Sequence, residues 1–233
     1  MLILGIDTSG RQGSVALLRA QGEELLTLDL AGLSGGQYSE LLVPTIAELL
    51  VRHGFERRSI GLIAVANGPG SFTGLRIAIA TAKGLAEAFA TPVVAVSVLE
   101  AIALASGIDG KVVAVLDAQR SEVFFGEYII KSASPEPARM SHETIGTFAD
   151  FTSLLASGEP QPKVFTPDAA LAARLQDAGI ETEILSRPSA ESIARIAYRT
   201  FLAGICADVG TLDANYLRRS DAEALAAMKH QPL

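Results

Sequence analysis

The pattern that most constrains the fold is a short apolar run that ends in aspartate and turns into a second apolar run. It occurs twice. Residues 2–6 (LILGI) lead to Asp7, and 14–18 (SVALL) follow. Residues 111–117 (KVVAVLD) end on Asp117, and 122–130 (EVFFGEYII) follow. Such runs, bounded by turn residues, read as buried strands. Two of them, one opening each half, either mark an internal duplication or coincide because strand ends in α/β proteins often carry Asp. The halves, 1–107 and 108–233, meet near Ser106–Lys111, and the last segment is expected to pack back on the first half.

The elements around these runs alternate. A third strand at 25–30 makes an antiparallel meander with the first two, punctuated by Gly10, Gly13 and Gly22. Helical spacing of Leu41, Leu42, Thr45, Ile46, Leu49 and Leu50 predicts a helix over 38–53, closed by Gly54. Pro44 either kinks it or marks its first turn. A strand at 61–66, an Ala-rich helix over 74–90 and a strand before Ser97 follow. Ser97 and Glu100 form a capping box for a helix near 98–106. The first half reads βββαβαβα. The second half shows a Pro/Ser-rich loop at 132–141, helices near 148–157, 168–178 and 190–204, and strands near 163–166 and 180–185.

Gly68-Pro69-Gly70-Ser71-Phe72-Thr73-Gly74-Leu75-Arg76 lies between a buried strand and a helix. Its glycines permit close backbone approach, and Ser71 or Thr73 can cap the helix. Exposed N–H groups at such a helix start can hold an anion. The segment lacks the Lys-Ser/Thr of a phosphate-binding P-loop, and Thr73 breaks a dinucleotide fingerprint. It is therefore either a tight strand-to-helix turn or an anion site. Asp7-Thr8-Ser9, at a strand-to-strand turn, and its counterpart Asp117 offer the same two readings.

Ala78, Ala82 and Ala86 fall four apart on the second helix, a stripe that admits another helix closely. That helix and the one at 38–53 either form half of a four-helix bundle completed by another chain or pack on their own sheet.

Composition narrows the function. The chain has 233 residues, 49% of them hydrophobic and only 19% charged, with mean hydropathy +0.33. Either the core is large and Ala-rich, or apolar surface meets a partner. Net charge is −7, and Lys/Arg runs stop at pairs such as Arg57-Arg58, which disfavours strong RNA binding by this chain alone. A single cysteine, Cys206, fits a reducing cytoplasm. MLILGIDTSG has no basic start and reads as no signal peptide, and no apolar run is long enough for a membrane span. His53, His142 and His230 are too widely spaced for a zinc-hydrolase motif.

Four stretches carry a resemblance: ILGIDTS with SVALL (3–9 and 14–18), GPGSFTGLRIAIATAKGLA (68–86), VLDAQRSEVFF (115–125) and NYLRRSDAE (215–223). By them the chain resembles the TsaB (YeaZ) family of tRNA threonylcarbamoyladenosine biosynthesis subunits. The resemblance implies an α/β, actin-like (ASKHA, ribonuclease H-like) fold of two related lobes. It implies a cytoplasmic, non-catalytic subunit that supports the catalytic subunit TsaD alongside the ATPase TsaE, and that pairs with itself when alone. The complex would place threonylcarbamoyl on the adenosine 3′ of the anticodon in tRNAs reading codons that begin with A. Neither catalytic residues, metal nor cofactor is expected of this chain, because ATP is handled by the partner subunits and tRNA is met only through the complex.

The pairing surface implied by the resemblance maps to Tyr38, Leu41, Leu42, Thr45, Leu49, Leu75, Ala78, Ile79, Ala82 and Ala86. A vestigial phosphate site maps to Asp7, Thr8, Ser9, Gly68, Gly70, Ser71, Thr73 and Asp117. Tyr38, Gln119 and Ala78 depart from the usual His, Arg and Gly of the family. The alternatives are a stand-alone actin-like nucleotide-binding protein or ATPase, for which the chain is short, and a metallopeptidase-like hydrolase, against which the histidine spacing argues.

Overall fold

The computed structural model describes residues 1–131, 139–157, 162–215 and 217. The first half forms β1 (Leu2–Asp7), β2 (Gln12–Gln21), β3 (Glu24–Ser34), α1 (Tyr38–Arg52), β4 (Ile60–Gly68), α2 (Phe72–Phe89), β5 (Val93–Ser97) and α3 (Val98–Ala105). The second forms β6 (Gly110–Gln119), β7 (Glu122–Ile130), β8 (Arg139–Thr147), α4 (Phe148–Ala156), β9 (Lys163–Thr166), α5 (Ala169–Asp177), β10 (Thr182–Ile184) and α6 (Ala190–Leu202). The two halves repeat one element order.

Their sheets repeat one topology. The first runs β3-β2-β1-β4-β5, and the second, read from its far edge, runs β8-β7-β6-β9-β10. In each, the first three strands pair antiparallel and the last two join in parallel. This recurrence makes the two lobes related.

Both faces of each sheet are covered, which is why β1 and the middle of β4 are apolar without alternation. α1 and α2 cover the outer face of the first sheet through Leu42, Leu49, Leu75 and Ala82. α4 and α5 cover the second through Phe151, Leu155, Leu171 and Leu175. The remaining helices cross over. α3 packs on β6 and β7 of the second sheet, while α6 packs on β1, β2, β4 and β5 of the first. A central core drawn from both sheets, including Ile3, Leu62, Val112, Tyr128, Phe165 and Ile193, surrounds them. Beyond α6 the chain runs back along the first lobe. There Ala207 N–H donates to Val93 O at 2.8 Å, and Lys83 Nζ donates to Leu212 O at 3.0 Å.

One sequence expectation is corrected and one pair of alternatives is narrowed. The loop expected through residue 141 gives way at Arg139 to β8, a sheet-edge strand held by its register with β7. The polar run SHETIGT shows no clean alternation, so pairing rather than sequence pattern makes it a strand. Residues 132–138 of that loop lie outside the described residues. Of the two readings of Pro44, the first turn is excluded, because Pro44 lies inside α1, on its exposed side, where it leaves the Glu40 carbonyl without its helical N–H.

Candidate functional site

Between the lobes lies an open cleft of about 1720 Å³. Its lining includes the β1–β2 turn (Ser9, Gly10, Arg11), the Gly-rich turn before α2, the β6–β7 turn (Asp117 to Arg120) and Arg187. The two aspartate-bearing turns that organised the sequence therefore face one space.

The first turn is closed against its neighbour. Asp7, Thr8 and Ser9 are 2%, 0% and 2% exposed. The Asp7 carboxylate accepts Ser9 N–H at 2.9 Å. Burial, the largest influence, pushes that carboxyl above its ordinary range, against the lowering effect of its bonds to Ser9 and of Arg187. Thr8 Oγ1 donates to Gly74 O at 2.7 Å, and Ser71 N–H donates to Ser9 O at 2.7 Å. A Cβ on Gly70 would lie 2.3 Å from Ser9 O, and one on Gly74 2.0 Å from Thr8 O. The glycines are there because two backbones touch, and no anion fits between them.

The phosphate assignment changes accordingly. Gly68 is buried at the end of β4. Ser71 caps α2 by accepting Gly74 N–H at 3.3 Å, so that N–H is engaged as well. Thr73 is exposed in the first turn of α2 and lines the cleft. Asp117 is exposed, and its carboxylate accepts Gln119 N–H at 3.0 Å, the same local bond that Asp7 makes. Of the eight residues, Ser9, Gly70, Ser71, Thr73 and Asp117 line the cleft, Ser9 from a buried position, while Asp7, Thr8 and Gly68 do not line it. Sequence reasoning missed Arg187, whose Nη2 donates to Ser9 Oγ at 3.4 Å across the chain. No local pattern links residues 178 apart.

The expected pairing residues are corrected as well. Tyr38, Leu42, Leu49, Leu75, Ala78, Ile79, Ala82 and Ala86 are each at most 5% exposed and belong to the core beneath α1 and α2. Tyr38 is a pin: its hydroxyl donates to Gly10 O at 2.9 Å. The alanine stripe faces the protein's own sheet, because small side chains let α2 lie close to it. Only Leu41 and Thr45 of that set are half-buried. The outward side carries other small and apolar residues. On α1 these are Val43 at 55% and Val51 at 79% exposed, with Ala47 half-buried between them. On α2 they are Ile77, Ala80, Gly84 and Ala88, one helical stripe. Of the stretch 215–223, Tyr216 and Arg218 to Glu223 lie outside the described residues.

Among the described residues no group of three or more His, Cys, Asp or Glu is placed to hold a metal ion, and no helix is long and apolar enough to cross a membrane.

Two lobes of one topology, crossed by their third helices and separated by a cleft, define an actin-like (ASKHA) protein of the ribonuclease H-like class. The family model described as TsaD, tRNA N6-adenosine threonylcarbamoyltransferase, matches residues 33–225. The tRNA threonylcarbamoyladenosine biosynthesis protein TsaB of Bacillus subtilis is 31% identical over 228 residues, covering 96% of this chain and 97% of that one. A Pseudomonas aeruginosa structure, described as an uncharacterized protein with similarity to peptidase YEAZ, superposes with a TM-score of 0.73 at 26% identity, covering 93% of this chain and 99% of that one. The tRNA N6-adenosine threonylcarbamoyltransferase of Protochlamydia amoebophila is 33% identical over 115 residues, 43% of this chain and 33% of that one. The chain belongs to the family that the model describes and, within it, to the TsaB family.

Proposed function

We propose that this protein acts in tRNA threonylcarbamoyladenosine biosynthesis as a non-catalytic subunit that holds a TsaD-type catalytic partner. The observation that carries this reading is the closed first turn. Its aspartate is buried and accepts Ser9 N–H, and its Ser9 carbonyl accepts the facing Ser71 N–H. In a turn built that way these two donors are spent within the chain and are not offered to a phosphate.

The partner half of the reading is supported by the outward side of α1 and α2. Val43, Val51, Ile77, Ala80, Gly84 and Ala88 make a small-residue, apolar surface on which a second helix pair completes a four-helix bundle. TsaD is the fitting partner because its family model matches this chain over most of its length, so the two can pair through equivalent helices. The same surface serves self-pairing when the partner is absent. TsaE and tRNA join through the assembled complex, in the cytoplasm.

The test is direct. A Cβ on Gly84 meets no atom within 4 Å, so Gly84→Glu leaves the fold intact while placing a charge in the contact. Mixed with a TsaD protein, the wild-type chain should form a complex of summed mass by light scattering, and Gly84→Glu should reduce that association on the order of a hundredfold, the effect of a like-sized mismatch at an apolar contact. Unchanged association of a folded Gly84→Glu variant overturns this surface. Turnover of ATP by the isolated chain overturns the non-catalytic role.

A further inference from the structure

The cleft carries a charge of the opposite sign to the chain as a whole. Net charge is −7, yet three guanidinium groups (Arg11, Arg120 and Arg187) outnumber the two carboxylates (Asp117 and Asp168) that line this space. Neither the closed first turn nor the outward side of α1 and α2 uses that positive excess.

Arg187 is built into its place. It lies between β10 and α6, and its guanidinium rests on the backbone of Gly10. A Cβ on Gly10 would lie 2.7 Å from Arg187 Nε and 3.0 Å from its Cζ. Gly10 is therefore the seat of the arginine as well as a turn residue. Arg187 Nη2 reaches Ser9 Oγ at 3.4 Å, and Tyr38 holds the same turn through Gly10 O at 2.9 Å. The guanidinium plane is oriented before anything binds to it.

Its charge is left unpaired. Among the described residues no carboxylate lies within ion-pair distance of Arg187, and its hydrogen bond to Ser9 is long. Asp7, which feels its field, bonds instead to Ser9 N–H, and burial favours the neutral form of that carboxyl. Arg11 follows Gly10 in the chain and lines the same cleft, exposed and without an ion pair among the described residues. The two carboxylates of the lining are engaged locally. Asp117 accepts Gln119 N–H, and Asp168 caps α5.

A guanidinium fork matches the paired oxygens of a carboxylate or a phosphate. Two observations select the carboxylate. A single negative charge balances the excess of the lining, whereas a phosphate dianion overshoots it and is repelled by Asp117 and Asp168. The Ser9 and Ser71 N–H groups, placed where a phosphate would be cradled, are engaged within the chain. Leu116, Phe124 and Pro167 add apolar lining beside a short hydrocarbon.

We propose that Arg187 and Arg11 form a binding site for a small organic carboxylate beside the β1–β2 turn of the cleft. The inference goes beyond the subunit reading and does not rest on it.

The test is an NMR titration of the whole, isotope-labelled chain, followed at the arginine Nε–H and Gly10 amide signals. Butyrate is the probe, with inorganic phosphate and chloride at matched ionic strength beside it. Butyrate should shift the Arg187 Nε–H signal saturably, with Kd on the order of 1 mM. Chloride should leave that signal in place, and phosphate should bind about tenfold more weakly than butyrate. Arg187→Gln and Arg11→Gln, both at exposed positions, should each weaken butyrate binding on the order of tenfold, read at the Gly10 amide. A shift that grows linearly with butyrate and is matched by chloride overturns the site. So does an Arg187→Gln variant that keeps the wild-type Kd. Phosphate binding more tightly than butyrate overturns the choice of a carboxylate.

Discussion

The β1–β2 and β6–β7 turns start from the same device and end in opposite states. In both, an aspartate at the end of a lobe's first strand accepts the N–H two residues on, at 2.9 Å in one and 3.0 Å in the other. Asp7 is nonetheless buried and Asp117 exposed. The difference lies in what leans on each turn. The first lobe sets the Gly-rich turn of α2 against Thr8 and Ser9, with hydrogen bonds in both directions. At the start of α5, Asp168 caps its own helix by accepting the N–H groups of Ala170 and Leu171. The second turn instead carries Gln119, Arg120 and Ser121 at φ 63°, 53° and 62°, a left-handed run without glycine. The comparison teaches that a repeated turn becomes structural or stays open according to its neighbour as well as its own residues, for Thr8 supplies a hydroxyl where Ala118 has none.

Three substitutions break or sharpen this contrast. The largest effect belongs to Gly74→Ala, whose Cβ would lie 2.0 Å from Thr8 O. Forcing the two turns apart should cost about 3 kcal/mol in urea unfolding. A loss below about 1 kcal/mol would mean that the turns separate freely and that the closed first turn is incidental.

Asp7→Asn comes next. Burial raises the Asp7 carboxyl, so the folded chain binds its proton more tightly than the unfolded one. Stability should therefore decline as pH rises above the ordinary 3.8, and the Asn variant should lose that decline while keeping an acceptor for Ser9 N–H. Thermal midpoints across acid to neutral pH read this, with Asp117→Asn as the control. Equal behaviour of the two variants would erase the difference between the turns.

The smallest effect is Ser121→Gly. A left-handed residue with a side chain is strained, so glycine should raise stability by about 1 kcal/mol, read as a shifted unfolding midpoint. No gain would show that the second turn is held as firmly from outside as the first.

Much of the fold was legible. The strand-Asp-turn-strand pattern, the helical spacing of Leu42, Ile46 and Leu49, and the Ser97 cap each read correctly because they depend on near neighbours. β8 did not, because an edge strand of polar residues is defined by its partner. The alanines of α2 were read as a contact stripe and are one, but toward the first sheet. Periodicity gives a face without saying what covers it. The glycines of the 68–76 turn were likewise read as permissive, and only the facing backbone of Thr8 and Ser9 shows what they permit.

By itself the sequence determined that a strand leading to an aspartate opens each half, where most helices and strands run, and that the chain carries little charge for its apolar content. These follow from local periodicity and composition. The tertiary structure alone decided that the first turn is closed, that α3 and α6 exchange lobes, and that Arg187 meets Ser9. Burial and long-range hydrogen bonds are properties of surfaces brought together from distant positions, and no stretch of chain carries them alone.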